Sequence, residues 1–123
     1  MNIIFLYASG FIVLIWGVAH LFPTKAVVGG FGDISKDNKQ IITMEWVIEG
    51  LALIFLGFLT ILITLINPTM GISRMVYWSI AGMLCVLSVV SLFTGFKVNF
   101  LPFKLCPFIF IGSVILIILG LLI

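Results

Sequence analysis

Three ionisable side chains sit inside stretches of sequence otherwise suited to hydrocarbon. His20 closes the first stretch, in GVAHLFP, and Glu45 and Glu49 stand one helical turn apart in EWVIEGLALIFLGFL. One imidazole and two carboxylates can relay a proton, act as acid and base, or grip the polar end of an oily ligand. Such groups cost about 3 kcal/mol each at membrane depth on insertion scales, so they turn toward a bundle interior or a wet cavity. Two like charges one turn apart also repel, and the pair calls for a proton or a cationic neighbour such as His20 or a lysine.

The elements that position these residues follow from composition. Of 123 residues, 63% are hydrophobic and 8% charged, against about 25% charged in a soluble domain. A hydrocarbon core about 30 Å thick needs roughly 20 apolar residues per helix. Four stretches qualify: residues 3–22, 41–66, 75–95 and 107–123. They predict one all-α domain, an up-and-down four-helix transmembrane bundle, with no room for a soluble domain. The first stretch is expected to be a retained helix rather than a cleaved signal, because no Lys or Arg precedes it and it is too long for a signal core. Cys85 and Cys106 fall at different depths, which disfavours a disulfide.

Threading four spans puts Lys25, Lys36, Lys39, Lys97 and Lys104 on one side and only Arg74 on the other. By the positive-inside rule the lysine side is cytoplasmic and both termini face outward, in the plasma (inner) membrane.

Helical spacing of about 100° per residue gathers Ser9, Val13, Trp16, Gly17 and His20 on one face of the first span. The same spacing groups Glu45, Glu49, Ala52, Leu56 and Ile63 on the second, and Tyr77, Ala81, Leu84, Ser88, Ser91 and Gly95 on the third. Each stripe is expected to face inward. The fourth span offers only Gly112, Ser113 and Gly120 and reads as the plainest wall. In an antiparallel hairpin His20 and Glu45 lie at similar depth, with Glu49 about 6 Å deeper. His20, Glu45 and Glu49 therefore form the expected site, with Trp16, Trp46, Ser9, Ala52 and Ser88 as ligand contacts. Trp46, Tyr77 and Trp78 equally fit the aromatic anchors of a membrane interface.

The flanking loops carry the remaining polar chemistry. AVVGGFGDISKDNKQ lacks the Lys-Ser/Thr that a phosphate loop requires, so no nucleotide site is expected. Its Ser35, or Asp37 with Gln40, suits a cap for the second span, and VVGGF is apolar enough to fold over the site as a lid. FKVNFLPFKLCP mixes phenylalanines with Lys97 and Lys104, as expected of a segment lying on an anionic leaflet. Lysines confined beside a membrane make no nucleic-acid groove. Pro107 suits the first turn of the fourth span, where Cys106 would gain nucleophilicity from the helix N-terminus.

These residues admit three readings. The leading one is a site where a lipophilic small molecule enters from the bilayer and is bound, or bound and converted, by the His/Glu cluster near the cytoplasmic side. A second is a metal site, for which one imidazole and two carboxylates suit Zn, Mn or Fe but supply only three ligands. A third is a non-enzymatic accessory subunit or homo-oligomer, with Gly50 and Gly57 offered to a second helix or a second protein.

The GVAHLFP and EWVIEGLALIFLGFL segments resemble the DoxX-like group of small four-helix bacterial membrane proteins over roughly the first 65 residues. That resemblance implies an up-and-down bundle, redox-complex accessory or unassigned functions, and a role for His20 and for Glu45 or Glu49. The EXPERA group of sterol isomerases and lipid-binding proteins is similar in placing His and Glu inside a helical bundle, an analogy of chemistry alone. Small multidrug resistance transporters, proton-coupled, resemble the chain in length, span count and intramembrane Glu, but their essential acid lies in the first helix.

Overall fold

The computed structural model describes all 123 residues. The chain forms α1 (Ile3–Leu21), α2 (Thr24–Gly29), α3 (Lys36–Ile66), α4 (Gly71–Phe93) and α5 (Leu101–Leu122), with a 3-10 turn at Gly95–Lys97 and no strand. All but α2 are long and apolar enough to cross a membrane. The protein is an all-α, up-and-down bundle of four spans.

Helix starts are set by local chemistry rather than by where the apolar residues begin. Ser35 Oγ accepts from the Asn38 N–H at 3.2 Å and caps α3, with Asp37 in its first turn against the helix dipole. The helix thus begins five residues before the expected Ile41 and runs 31 residues, about 46 Å. Its first turns, Lys36 to Gln40, are polar and exposed. Likewise α5 starts at Leu101, with Pro102 in the first turn and Pro107 inside the helix. Pro107 is therefore not the initiator, and Cys106 is buried in the second turn instead of lying at an exposed N-terminus.

Helices α1 and α3 pack along glycines spaced seven apart, which return to the same face every two turns. A Cβ on Gly10 would lie 2.7 Å from Ile61 Cγ1, one on Gly17 2.6 Å from the Ile54 N, and one on Gly57 would collide with the Leu14 backbone. Only glycine lets the two backbones approach so closely. The Gly50/Gly57 face, open by sequence to a second protein, is thus filled by α1 of the same chain. As a result the buried stripe of α3 is Gly50, Leu53, Gly57, Thr60 and Thr64, and the Glu45, Glu49 and Ala52 stripe is turned outward beside it.

The fourth span is not a plain wall. α5 lies against both α1 and α4 and buries Phe110, Ser113, Val114, Ile117, Gly120 and Leu121. Ser9 Oγ donates to the Ser113 carbonyl at 3.0 Å, Ser88 Oγ to the Pro107 carbonyl at 2.8 Å, and the Asn2 N–H to the Gly120 carbonyl at 2.8 Å. Both termini therefore lie at the same end.

Helices α3 and α4 meet chiefly beside their shared turn. There Ser73 Oγ donates to the Asn67 carbonyl at 2.6 Å, and the Thr64 and Tyr77 hydroxyls lie 2.8 Å apart. Thr64 gives its proton to the Thr60 carbonyl at 2.7 Å, so Tyr77 is the donor in that pair. Tyr77 is 0% exposed and is no interface anchor, whereas Trp78 faces outward. Away from the turn, the two helices leave a gap.

Candidate functional site

The gap between α3 and α4 is a cleft of about 600 Å³ at the lysine-rich end of the bundle. Ile42, Glu45, Trp46 and Glu49 line it from α3, and Leu87, Val90 and Ser91 from α4, with Thr94 just past its end. Val27 of α2 and Phe31 of the following loop, both within VVGGF, also line it. Its volume falls in the range of small-molecule sites.

His20 forms the inner wall. Its side chain is only 7% exposed, and its ring stacks on Trp46 with centroids 3.9 Å apart and planes 17° from parallel. The Trp46 indole N–H donates to the His20 carbonyl at 2.9 Å. That carbonyl belongs to the last turn of α1, where backbone acceptors lack helical partners. Thr24 Oγ1 serves the next one, on Leu21, at 2.5 Å. Phe103 of α5 meets Trp46 edge-on at 5.5 Å, and Phe100 meets Phe103 at 5.6 Å. A row of four rings thus joins α1, α3 and α5.

Glu49 Oε2 lies 3.7 Å from His20 Nε2, close enough for electrostatic attraction and too far for a hydrogen bond. The Glu49 side chain is 47% exposed, into the cleft, and Nε2 has no hydrogen-bond partner although it is buried. Of the expected trio, His20 and Glu49 meet. Glu45 faces the same cleft one turn nearer the lysine end, without contact to His20.

Behind the ring row lies a smaller cavity of about 130 Å³, lined by Trp16, Ala19, Pro23, Phe100 and Pro102. His20, Trp46, Phe103 and Cys106 border both spaces. Trp16 Nε1 is also buried without a hydrogen-bond partner.

Three expected ligand contacts lie elsewhere. Ser9 and Ser88 spend their hydroxyls on α5 carbonyls, and Ser9 is eleven residues, about 16 Å, along α1 from His20. Ala52 faces outward on α3. None of the three lines either space. Sequence reading in turn missed Phe103 and Phe100, because FKVNFLPFKLCP read as a surface segment; the aromatic repeat at 96, 100 and 103 was the available signal. No three His, Cys, Asp or Glu side chains converge closely enough to hold a metal ion. Both cysteines are free, Cys85 facing outward.

Fold and site together define a multi-pass, all-α membrane protein with a largely apolar internal pocket that holds a His–Glu contact. No protein-family model, no curated protein and no solved structure matches the chain.

Proposed function

We propose that the protein binds a lipophilic small molecule that enters sideways from the bilayer between α3 and α4. The observation that carries this reading is the meeting of His20 and Glu49 at the inner wall of a largely apolar cleft. Apolar walls such as Leu87 and Val90 suit the body of the molecule, and His20, Glu45 and Glu49 suit its polar end. The two segments that resemble DoxX-like proteins supply all three of these residues, which supports a shared site at this position. The lysine bias supports an orientation with the cleft toward the cytoplasm and both termini outside.

The test uses a long-chain alcohol bearing a photoactivatable diazirine, added to the full-length protein in dodecyl maltoside, with labelled residues mapped by mass spectrometry. Labelling concentrated on Ile48, Leu87 and Val90, and reduced in His20→Ala and Glu49→Gln, supports the reading. Labelling of these residues no denser than of the outward Phe11, Ile15 and Phe55 would contradict it.

A further inference from the structure

The cleft has one sign of charge. Glu45 and Glu49 line it and no lysine or arginine does, although five lysines lie at the same end of the bundle. The His20–Glu49 contact is the only ion pair in the chain. Glu45 has Ile41, Ile42, Ile48 and Glu49 as its helical neighbours three and four residues away, none of them cationic. His20, nine-tenths buried and with Nε2 unpartnered at 3.7 Å, does not saturate the Glu49 carboxylate. Beside these acids stand the rings of Trp46, Phe103 and Phe31. Aromatic faces carry negative quadrupole charge and attract cations. An anionic headgroup would meet two carboxylates with His20, already beside Glu49, as the one base in the lining, whereas an ammonium or phosphonium group would meet two carboxylates beside aromatic rings.

Resting on the pocket reading above, we propose that the cleft selects lipophilic cations, with the charge held by Glu45 and Glu49 against Trp46 and Phe103 and the apolar body between α3 and α4. The five lysines at this end of the bundle stay out of the cleft lining, so the charged side chains that a ligand in the cleft touches are the two acids. The acids, unexplained by packing, have a purpose on this reading: they discriminate by charge within a site whose walls are otherwise indifferent.

The experiment is equilibrium dialysis of radiolabelled tetraphenylphosphonium against the full-length protein in dodecyl maltoside, with tetraphenylborate, an anion of the same shape, as counterpart. Saturable cation binding is expected, weakened about tenfold or more in the Glu45→Gln/Glu49→Gln double variant, which corresponds to about 1.4 kcal/mol. The Glu45→Asp/Glu49→Asp variant should retain most of it, and Trp78→Phe all of it. Tetraphenylborate should bind the native protein more weakly and improve when both acids are neutralised. Equal binding of the two ions, or cation affinity unchanged in the double Gln variant, would overturn the proposal. If the diazirine alcohol labels the cleft while the cation shows no preference, the charge selection fails and the pocket stands; if neither binds there, both readings fail.

Discussion

His20 and Trp46 are joined twice: their rings stack at 3.9 Å, and the indole N–H of Trp46 donates to the backbone carbonyl of His20 at 2.9 Å. One side chain of α3 thereby fixes the imidazole plane and closes the C-terminal end of α1. The geometry of the site and the docking of the two helices are therefore a single feature.

Trp46→Phe keeps a ring for the stack and removes the donor, so it should destabilise the protein by about 1 kcal/mol and leave diazirine labelling of the cleft largely intact. Trp46→Ala removes both and should abolish the enrichment. Denaturant unfolding in mixed micelles and label mapping check the pair. Equal effects of the two substitutions would show that the stack is not what holds His20.

The α1–α3 seam depends on glycine. Gly57→Ala should destabilise by about 1–3 kcal/mol, because the new methyl meets the Leu14 backbone, which has no flexible end to yield. Gly82 and Gly112, with open space where a Cβ would stand, should tolerate Ala without loss. The same unfolding assay decides, and a neutral Gly57→Ala would refute the close approach.

How much of this was legible in the sequence differs from helix to helix. On α1 the small and polar residues Ser9, Gly17 and His20 all mark the buried face, and the reading was right because nothing else on the helix is polar enough to compete. On α3 two signals compete. The acids suggested one inward stripe, while Gly50, Gly57, Thr60 and Thr64 mark the real one, because backbone proximity outranks side-chain polarity when no water separates the helices. On α5 apolar residues surround the helix, so no periodicity reveals that it packs on both α1 and α4. The ring row was hidden for a related reason: Phe103 depends on α5 beginning at Leu101, and Pro107 pointed to a later start.

Tyr77→Phe should cost about 0.6 kcal/mol, as is common for single hydrogen bonds between membrane helices, because Thr64 keeps its bond to the Thr60 carbonyl. Trp78→Phe, on an outward face, should fall within about 0.5 kcal/mol of the native protein. A larger effect at Trp78 than at Tyr77 would mean that the buried link beside the α3–α4 turn carries no stability.

Orientation is checked by cysteine labelling in whole bacterial cells, on a background in which Cys85 and Cys106 are replaced by Ala. Thr69→Cys, in the short turn, should react with a membrane-impermeant maleimide from outside, and Lys36→Cys only after permeabilisation. The opposite pattern would reverse the assignment of the cleft to the cytoplasmic side.

On this account His20 and Glu49 act on one ligand together, from adjacent positions on the inner wall of the same cleft. The most direct measurement is a double-mutant cycle of His20→Ala and Glu49→Gln, read as the affinity of the diazirine alcohol for each of the four proteins. Groups that share a ligand are coupled, so the cycle should return an interaction of about 1 kcal/mol or more. Strictly additive losses, or no loss in either single variant, would contradict the account.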